Sequence, residues 1–345
     1  MVWRRFMLVL SLAFLFVLGV TSGALAADLG PGARAMGMAG AYVAVADDGT
    51  AAYWNPAGIA QFKILAITPS FGAGGDWTEL QTSIGEEFPP NLGNTELQIN
   101  GLLGALSRGV GVSVLFAAEA ETSYTQTGDT TTSTGDVKVL GTGLVTMAHR
   151  FGDVFALGAN LKGFYGKELS FSATKSTSAG SGHYDESLGN GYGFDVGALF
   201  HLGEFFRVGL NLENVYARIN WEKTPYDYDP IVGDWVKGTP TTTEEDLQTV
   251  AHLGLAVKPP LLGTLIAFQV DSPCGEGITA YRIGLEYGLL VMKLRAGAVF
   301  DADLAATNYT AGLGFKLGPV GLDLAAVADE GLGLEMAVLT AGFSF

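Results

Sequence analysis

The sequence predicts an all-β fold, a transmembrane antiparallel β-barrel of about fourteen strands. Three observations carry this. The 345-residue chain is 48% hydrophobic with a mean hydropathy of +0.30, yet only 16% of its residues are charged, against about 25% in ordinary soluble proteins. After the N-terminus no run of 18 or more apolar residues occurs, so the apolar residues are spread along the chain rather than gathered into membrane helices. Segments of about ten residues instead alternate apolar with polar or glycine, the period of a strand with two unlike faces.

The first element is a leader. Arg4 and Arg5 form a basic start, Phe6 to Val20 an apolar stretch, and Ala24 to Ala26 supply small residues for cleavage after Ala26. This pattern predicts a secretory signal peptide over residues 1–26. The alternative, an anchor helix, suits the run less well because it is short and ends in a cleavage pattern. Loss of Arg4 and Arg5 takes the net charge from −16 to −18. An acidic exported chain has no electrostatic case for nucleic acid. The single cysteine, Cys274, excludes an intrachain disulfide.

From Phe62 to Phe345 the pattern reads as barrel. Fourteen strands are expected over 62–73, 97–107, 110–119, 138–150, 154–165, 191–202, 205–216, 249–258, 263–271, 280–288, 290–300, 307–317, 319–328 and 335–345. In 154–165, Phe155, Leu157, Ala159, Leu161 and Tyr165 share one face, and Ala156, Gly158, Asn160 and Lys162 the other. In 280–288, Tyr281, Ile283, Leu285 and Tyr287 oppose Arg282, Gly284 and Glu286. A soluble sandwich also alternates, but these strands have the ~9–11 residues of tilted transmembrane strands. Connections also alternate between short, such as Arg108-Gly109 and Gly203-Glu204, and long, such as 120–137, 166–190 and 217–248. Short periplasmic turns and long outer loops are the pattern of an outer-membrane barrel. Closure pairs every backbone group where hydrocarbon offers no partner. The charges Lys162, Arg207, Glu213, Arg282, Glu286, Lys293, Arg295 and Lys316 then face a wet or mutually paired lumen, since Lys or Arg facing lipid at the midplane costs about 2–4 kcal/mol. Aromatics near strand ends, among them Phe151, Phe155, Tyr165, Phe205 and Phe206, fit the two interfaces.

The chemistry of catalysis is sparse. His149, His183, His201 and His252 have no ligand spacing, and Asp47-Asp48-Gly49 lacks the calcium-loop pattern. No G-x-S-x-G elbow or G-x-G-x-x-G fingerprint occurs. An outer-membrane lipase has only this weak warrant, so no enzyme activity, cofactor or metal is expected. Cys274, in the turn-like cluster Asp271–Gly275, reads as an incidental small residue more readily than as a reactive thiol.

Between leader and barrel stands "GARAMGMAGAYVAVADDGTAAYWNPAGIA", residues 32–60. Its Tyr-Trp-Asn-Pro turn is rigid, because Asn55 can bond its own backbone and Pro56 sets φ. The segment resembles the N-terminal signature of FadL-type outer-membrane barrels, above all the PorV/PorQ-like branch. The stretches "YRIGLEYGLLVMKLRAGAVF" and "LTAGFSF" resemble that branch too, and Phe343 with Phe345 looks like its terminal assembly signal. The resemblance implies that residues 27–61 form a plug, or hatch, inside a fourteen-stranded barrel. Its working residues would be Trp54, Asn55 and Pro56, with Arg34, Asp47 and Asp48 as lumen partners. It also implies a place in the bacterial outer membrane, in contact with its lipid, and diffusion of small hydrophobic compounds such as fatty acids or hydrocarbons. The other role known in the branch is that of a secretion or surface-shuttle component, with an exported protein as partner.

Overall fold

A computed structural model describes residues 30–62, 64–75, 94–176, 180–260 and 263–344. The leader, most of the first long link and Phe345 lie outside these residues. Fourteen strands form the wall. They are β1 (Leu65–Gly75), β2 (Thr95–Ser107), β3 (Val110–Thr127), β4 (Thr130–Phe151), β5 (Phe155–Lys175), β6 (Gly180–Leu202) and β7 (Phe206–Asp229), then β10 (Val250–Val257), β11 (Thr264–Pro273), β12 (Ala280–Leu289), β13 (Met292–Asp301), β14 (Ala306–Leu317), β15 (Val320–Asp329) and β16 (Leu334–Ser344). Each pairs antiparallel with its neighbour, β7 pairs β10, and β16 returns to β1. The sheet is therefore closed, and no wall strand presents a bare edge at membrane depth.

The outer face shows why the barrel spans a membrane. On β5, Leu157, Ala159, Leu161, Gly163 and Tyr165 point outward and are exposed, while Ala156, Gly158, Asn160, Lys162 and Phe164 are buried. Aromatic side chains bound this band. Phe151, Phe155 and Phe200 stack along one rim, with centroids 5.8 and 4.6 Å apart. Tyr165, Tyr192 and Tyr216 mark the other. Ten residues separate Phe155 from Tyr165; at ~3.3 Å per residue and ~40° of tilt this is ~25 Å, the height of a transmembrane apolar band.

One expectation is corrected here. Links 120–137, 166–190 and 217–248 are largely strand rather than loop, so β3 to β7 run 18 to 24 residues while β10 to β16 run 8 to 12. The reason is chemical. A Thr-rich tract is polar but β-branched, which suits a pleated sheet wetted on both faces. Thr127 pairs Thr130 across the two-residue turn Gly128-Asp129, with Gly128 at φ +60°, the geometry of a tight hairpin. Two short strands, β8 (Asp234–Lys237) and β9 (Thr241–Asp246), extend the same wall by pairing with the distal part of β7. Arg218 pins β9 through Asp246 and Glu244, each at 2.6 Å. A half-cylinder of sheet thus rises beyond the apolar band on one side of the barrel.

The main buried cluster is not wall against wall. It is the segment 30–62, where Ala33, Ala35, Met36, Met38, Tyr42 and Ile59 are fully buried against the inner wall. Two single-turn helices, α1 (Ala33–Met36) and α2 (Ala51–Trp54), and a 3-10 turn at Pro56–Gln61 fold it into the bore.

Candidate functional site

The luminal segment seats on glycines. Three inward cross-strand pairs, Gly158–Gly197, Gly209–Gly254 and Gly284–Gly297, lie under Asn55-Pro56, Val43 and Met38-Ala39 in turn. A Cβ on Gly284 would stand 2.6 Å from the Met38 carbonyl oxygen, and one on Gly297 2.7 Å from the Ala39 nitrogen. Wall side chains accept hydrogen bonds from the segment's backbone N–H groups. Thr340 Oγ1 accepts from Ala33 at 2.7 Å, Thr310 Oγ1 from Ala39 at 3.1 Å, and Gln269 Oε1 from both Tyr42 and Val43 at 3.0 Å. For Ala33 and Val43 this acceptor matters most, because a buried N–H without a partner costs about 1–3 kcal/mol, whereas Ala39 and Tyr42 also donate to the carbonyls of Met36 and Gly40.

The Tyr-Trp-Asn-Pro turn is deep in this seat. Asn55 is fully buried; its Oδ1 accepts from the Ala57 N–H at 3.0 Å, and its Nδ2 donates to the carbonyls of Val43 at 2.8 Å and Ala198 at 3.1 Å. One side chain therefore caps the turn, ties the segment to itself and ties it to the wall. Trp54 Nε1 donates to the Pro31 carbonyl at 2.9 Å, and Pro56 packs against Gly158 and Gly197. Asn55→Ala is expected to destabilise the seated segment by about 2 kcal/mol or more, since it strips a cap and removes the side-chain donor from the Val43 and Ala198 carbonyls. Limited proteolysis of residues 30–62 in the folded barrel reads this; unchanged protection would remove Asn55 from the seat.

Arg34, Asp47 and Asp48 lie together on the side of the segment facing the short-turn rim. Arg34 Nη1 is 2.5 Å from Asp47 and 3.7 Å from Asp48, and its Nε is 2.8 Å from Glu286 on β12. Glu286 also holds Lys293 at 2.6 Å and Arg295 at 2.8 Å, and Arg295 reaches Asp323 at 2.6 Å. Arg207 on β7 meets Asp47 at 3.2 Å. Burial works to raise the Asp47 pKa, but the Arg34 and Arg207 guanidiniums outweigh it and hold the carboxyl below its ordinary range. A depressed folded pKa contributes stability that is complete above about pH 4 and lost as the pH falls through the lowered value. The Asp47 contribution to protection of the segment is therefore expected to stay level from pH 7 to about 4 and to fall only below that. Asp47→Asn should lack this acid step, and the difference between the two profiles is the measurement.

A second set of charges lies nearer the raised half-wall. Lys162 Nζ is 2.7 Å from Asp195 and 3.4 Å from Glu213, His252 bridges Glu213 at 3.5 Å and Asp271 at 2.7 Å, and Arg282 joins Asp271 at 2.5 Å. Arg282 also donates to the Ala39 carbonyl at 3.3 Å, which links this set to the luminal segment. Lys316 reaches the short-turn side of the bore without an ion pair among the described residues. Phe343 sits at the closing seam, opposite Ile67 and Val320. Several polar partners were not singled out from sequence: Asp195, Asp271, Gln269, Thr310, Thr340 and Asp323. Each falls on the inward parity of its strand, and that parity is the signal that could have found them.

Cavities among the described residues lie along the barrel axis. The first, about 620 Å³, sits within the raised half-wall and is bordered by Glu119, Asp136, Lys138, Trp221 and Glu245. One pleat deeper a cavity of about 230 Å³ is enclosed by Tyr53, Leu115, Leu140, Phe164, Lys162 and Asp195. Beyond the luminal segment, on the short-turn side, a polar space of about 660 Å³ contains Arg34, Asp47, Glu286, Lys293 and Lys316. Trp221 and Phe164 form a buried cluster with Ala217 and Ile219 between the first two cavities. The ladder from β1 through β3 is continuous in the described strands, with Leu65–Gly75 in register on Leu97–Ser107. Among the described residues no group of three or more His, Cys, Asp or Glu side chains is placed to hold a metal.

No protein-family profile matches this sequence, and no curated protein is significantly similar to it. Similarity appears among solved structures. A FadL homologue of Pseudomonas aeruginosa superposes with a TM-score of 0.60 at 12% identity, over 92% of this chain and 99% of that one. The Ralstonia pickettii toluene transporter TbuX gives 0.59 at 12% identity, over 92% and 98%. The P. putida toluene transporter TodX gives 0.57 at 10% identity, over 84% and 92%. At these identities the likeness is one of fold: this chain has the architecture of a FadL-type β-barrel, a closed fourteen-stranded wall.

Proposed function

We propose that this protein lies in the bacterial outer membrane, exported by a cleaved leader, and lets small hydrophobic compounds diffuse across it, without enzyme chemistry. The observation that carries the reading is the blocked bore. A water-filled porin keeps an open polar channel, whereas here a buried segment separates a cavity lined by Leu115, Leu140 and Phe164 from the polar space beyond. Such a partition suits a solute that leaves water for an apolar pocket and passes on when the segment moves. The fold shared with two toluene transporters supports the same class of solute. Arg34, Asp47, Asp48, Trp54, Asn55 and Pro56 are the hatch residues on this reading, and the inward charges form its fixed frame.

Vesicles with a lipopolysaccharide outer leaflet are expected to take up a toluene-sized hydrocarbon faster when they carry this barrel than when they carry an unrelated closed barrel. Equal rates sink the proposal. A second reading, that of the PorV/PorQ-like branch, has one observation in its favour. The hairpin between β7 and β8 projects Ile231 and Val232, 94% and 69% exposed, far beyond the apolar band, as a docking surface for an exported protein would. Recovery of a stoichiometric partner from native membranes, lost on Ile231→Ser with Val232→Ser, tests it.

A further inference from the structure

Two neighbouring hairpins on the low side of the barrel, away from the raised half-wall, carry the same unusual turn. β13 passes to β14 through Asp301-Ala302-Asp303-Leu304-Ala305, and β15 to β16 through Asp329-Glu330-Gly331-Leu332-Gly333. The Asp301 N–H donates to the Ala305 carbonyl at 2.9 Å and the Leu304 N–H to the Asp301 carbonyl at 3.1 Å. Asp329 and Leu332 repeat these bonds, to Gly333 and Asp329, at 2.9 and 3.1 Å. Each aspartate side chain then closes its turn, Asp301 Oδ1 accepting from Ala305 at 2.9 Å and Asp329 Oδ1 from Gly333 at 2.7 Å. Both hairpins also shift register just before the turn. The fourth residue of each turn is left-handed, at φ +63° and +66°. That conformation suits glycine or asparagine, and the outer turns of the raised half-wall do use glycine for it, at Gly128 and Gly233. Here it holds leucine, 65% exposed at Leu304 and 72% at Leu332. Little of either side chain packs within the chain, so neither the backbone nor the packing accounts for the residue type.

The strand lengths say what covers them. On β5 the lipid-facing run from Phe155 to Tyr165 matches an apolar band of about 25 Å. The outward residues run from Met292 to Phe300 on β13 and from Tyr309 to Leu317 on β14, a rise of eight residues each. At the same tilt that is about 20 Å, so this sector falls about 5 Å short of the band. A hydrophobic span shorter than the bilayer is completed by its flanking residues or thins the bilayer around it. Leu304 stands four residues past Phe300. At the other end Leu290, fully exposed at φ +52° in the turn between β12 and β13, stands two residues before Met292. Leucines thus bound the short sector at both ends. Asp303 and Glu330 are exposed beside the outer pair. The polar part of each turn can stay at headgroup level while the leucine goes deeper, as at other interfacial segments.

We infer that Leu304 and Leu332 are lipid anchors, inserted in the outer leaflet as the upper end of the apolar band of β12 to β16. The rim of this sector then lies level with the lipid surface, while β3 to β7 rise past it. The inference rests on the barrel's place in a membrane and not on what crosses it. In the full barrel carrying Cys274→Ser, bimane is attached at Leu304→Cys or Leu332→Cys, and the protein is placed in dioleoylphosphatidylcholine nanodiscs with or without lipid spin-labelled near the head of its acyl chain. Leu161→Cys, outward within the band, is the lipid reference, and Ile231→Cys, on the raised hairpin, the water reference. Quenching at both turns is expected to reach about half or more of that at Leu161. Quenching no greater than at Ile231 overturns the inference, whether the tips then face water or await a protein. A label-free variant, Leu304→Gly with Leu332→Gly, keeps the backbone conformation and removes both side chains. It is expected to melt below the parent in dioleoylphosphatidylcholine and to lose that deficit in the thinner dimyristoylphosphatidylcholine bilayer. Melting at or above the parent in both lipids overturns the inference, since glycine then only relieves the turn. Accelerated hydrocarbon entry with unquenched tips sinks this inference alone. Quenched tips in a barrel that speeds no hydrocarbon support it and sink the transport reading alone.

Discussion

Gly297→Val is expected to expel the luminal segment from the barrel. The new Cβ would lie 2.7 Å from both the Ala39 nitrogen and the Met38 carbonyl carbon, and 2.8 Å from the Ala39 Cβ. These are backbone atoms and a short side chain, so no flexible group can swing aside. Gly284, the cross-strand partner, lies under the same turn, where a Cβ would stand 2.6 Å from the Met38 carbonyl oxygen. Overpacking in a close-packed interior costs about 1–3 kcal/mol. The wall is held by continuous ladders on both sides of β13, so the segment, which belongs to no ladder, yields. The expected result is a barrel with native strand content, an elevated ion conductance and a protease-sensitive N-terminal segment. Gly163→Val is the control. It faces outward on β5 with open space where its Cβ would stand, and should leave conductance and protection unchanged. Equal behaviour of the two variants would falsify the glycine seat.

Glu286→Gln should loosen the segment from its other side. This carboxylate is 7% exposed and holds Arg34, Lys293 and Arg295 at 2.6 to 2.8 Å. Removing its charge leaves three cations close together, with Asp47 and Asp323 as the carboxylates still paired to them. Breaking one partner of a buried pair typically costs about 3–5 kcal/mol, more than the pair itself contributes. Arg34→Ala takes away one of the three cations and also frees Asp47, so its loss alone is expected to loosen the segment. Because the two side chains touch, the double substitution should cost less than the sum of the singles. Denaturant melting with conductance as a second probe reads this, and strict additivity would mean that Arg34 and Glu286 do not act as one latch.

Much of the barrel was legible in the sequence. All fourteen wall strands stand on the expected segments, with β3 to β7 extended beyond them, because a strand with lipid on one side and a filled lumen on the other must alternate. Parity alone puts Lys293 and Arg295 on one face of β13 and Glu286 on the matching face of β12. The raised half-wall was not legible. A Thr/Ser/Gly tract has the composition of a loop, and only its pairing with β5 and β3 makes 122–136 a hairpin. The glycines were half legible. Gly158, Gly209, Gly284 and Gly297 share the inward face of their strands by parity, but the pattern does not say what they make room for.

The chain by itself determined the strand count, the face each residue takes and the turn at Asn55-Pro56. These depend on periods of two, on local backbone chemistry and on transfer energies that act residue by residue. Only the tertiary structure decided that Gly284 meets Gly297 beneath Met38 and that Arg34 reaches Glu286 across 252 positions. Such meetings are set by the shear and closure of the sheet, which couple every strand to every other. No local window of sequence holds that information.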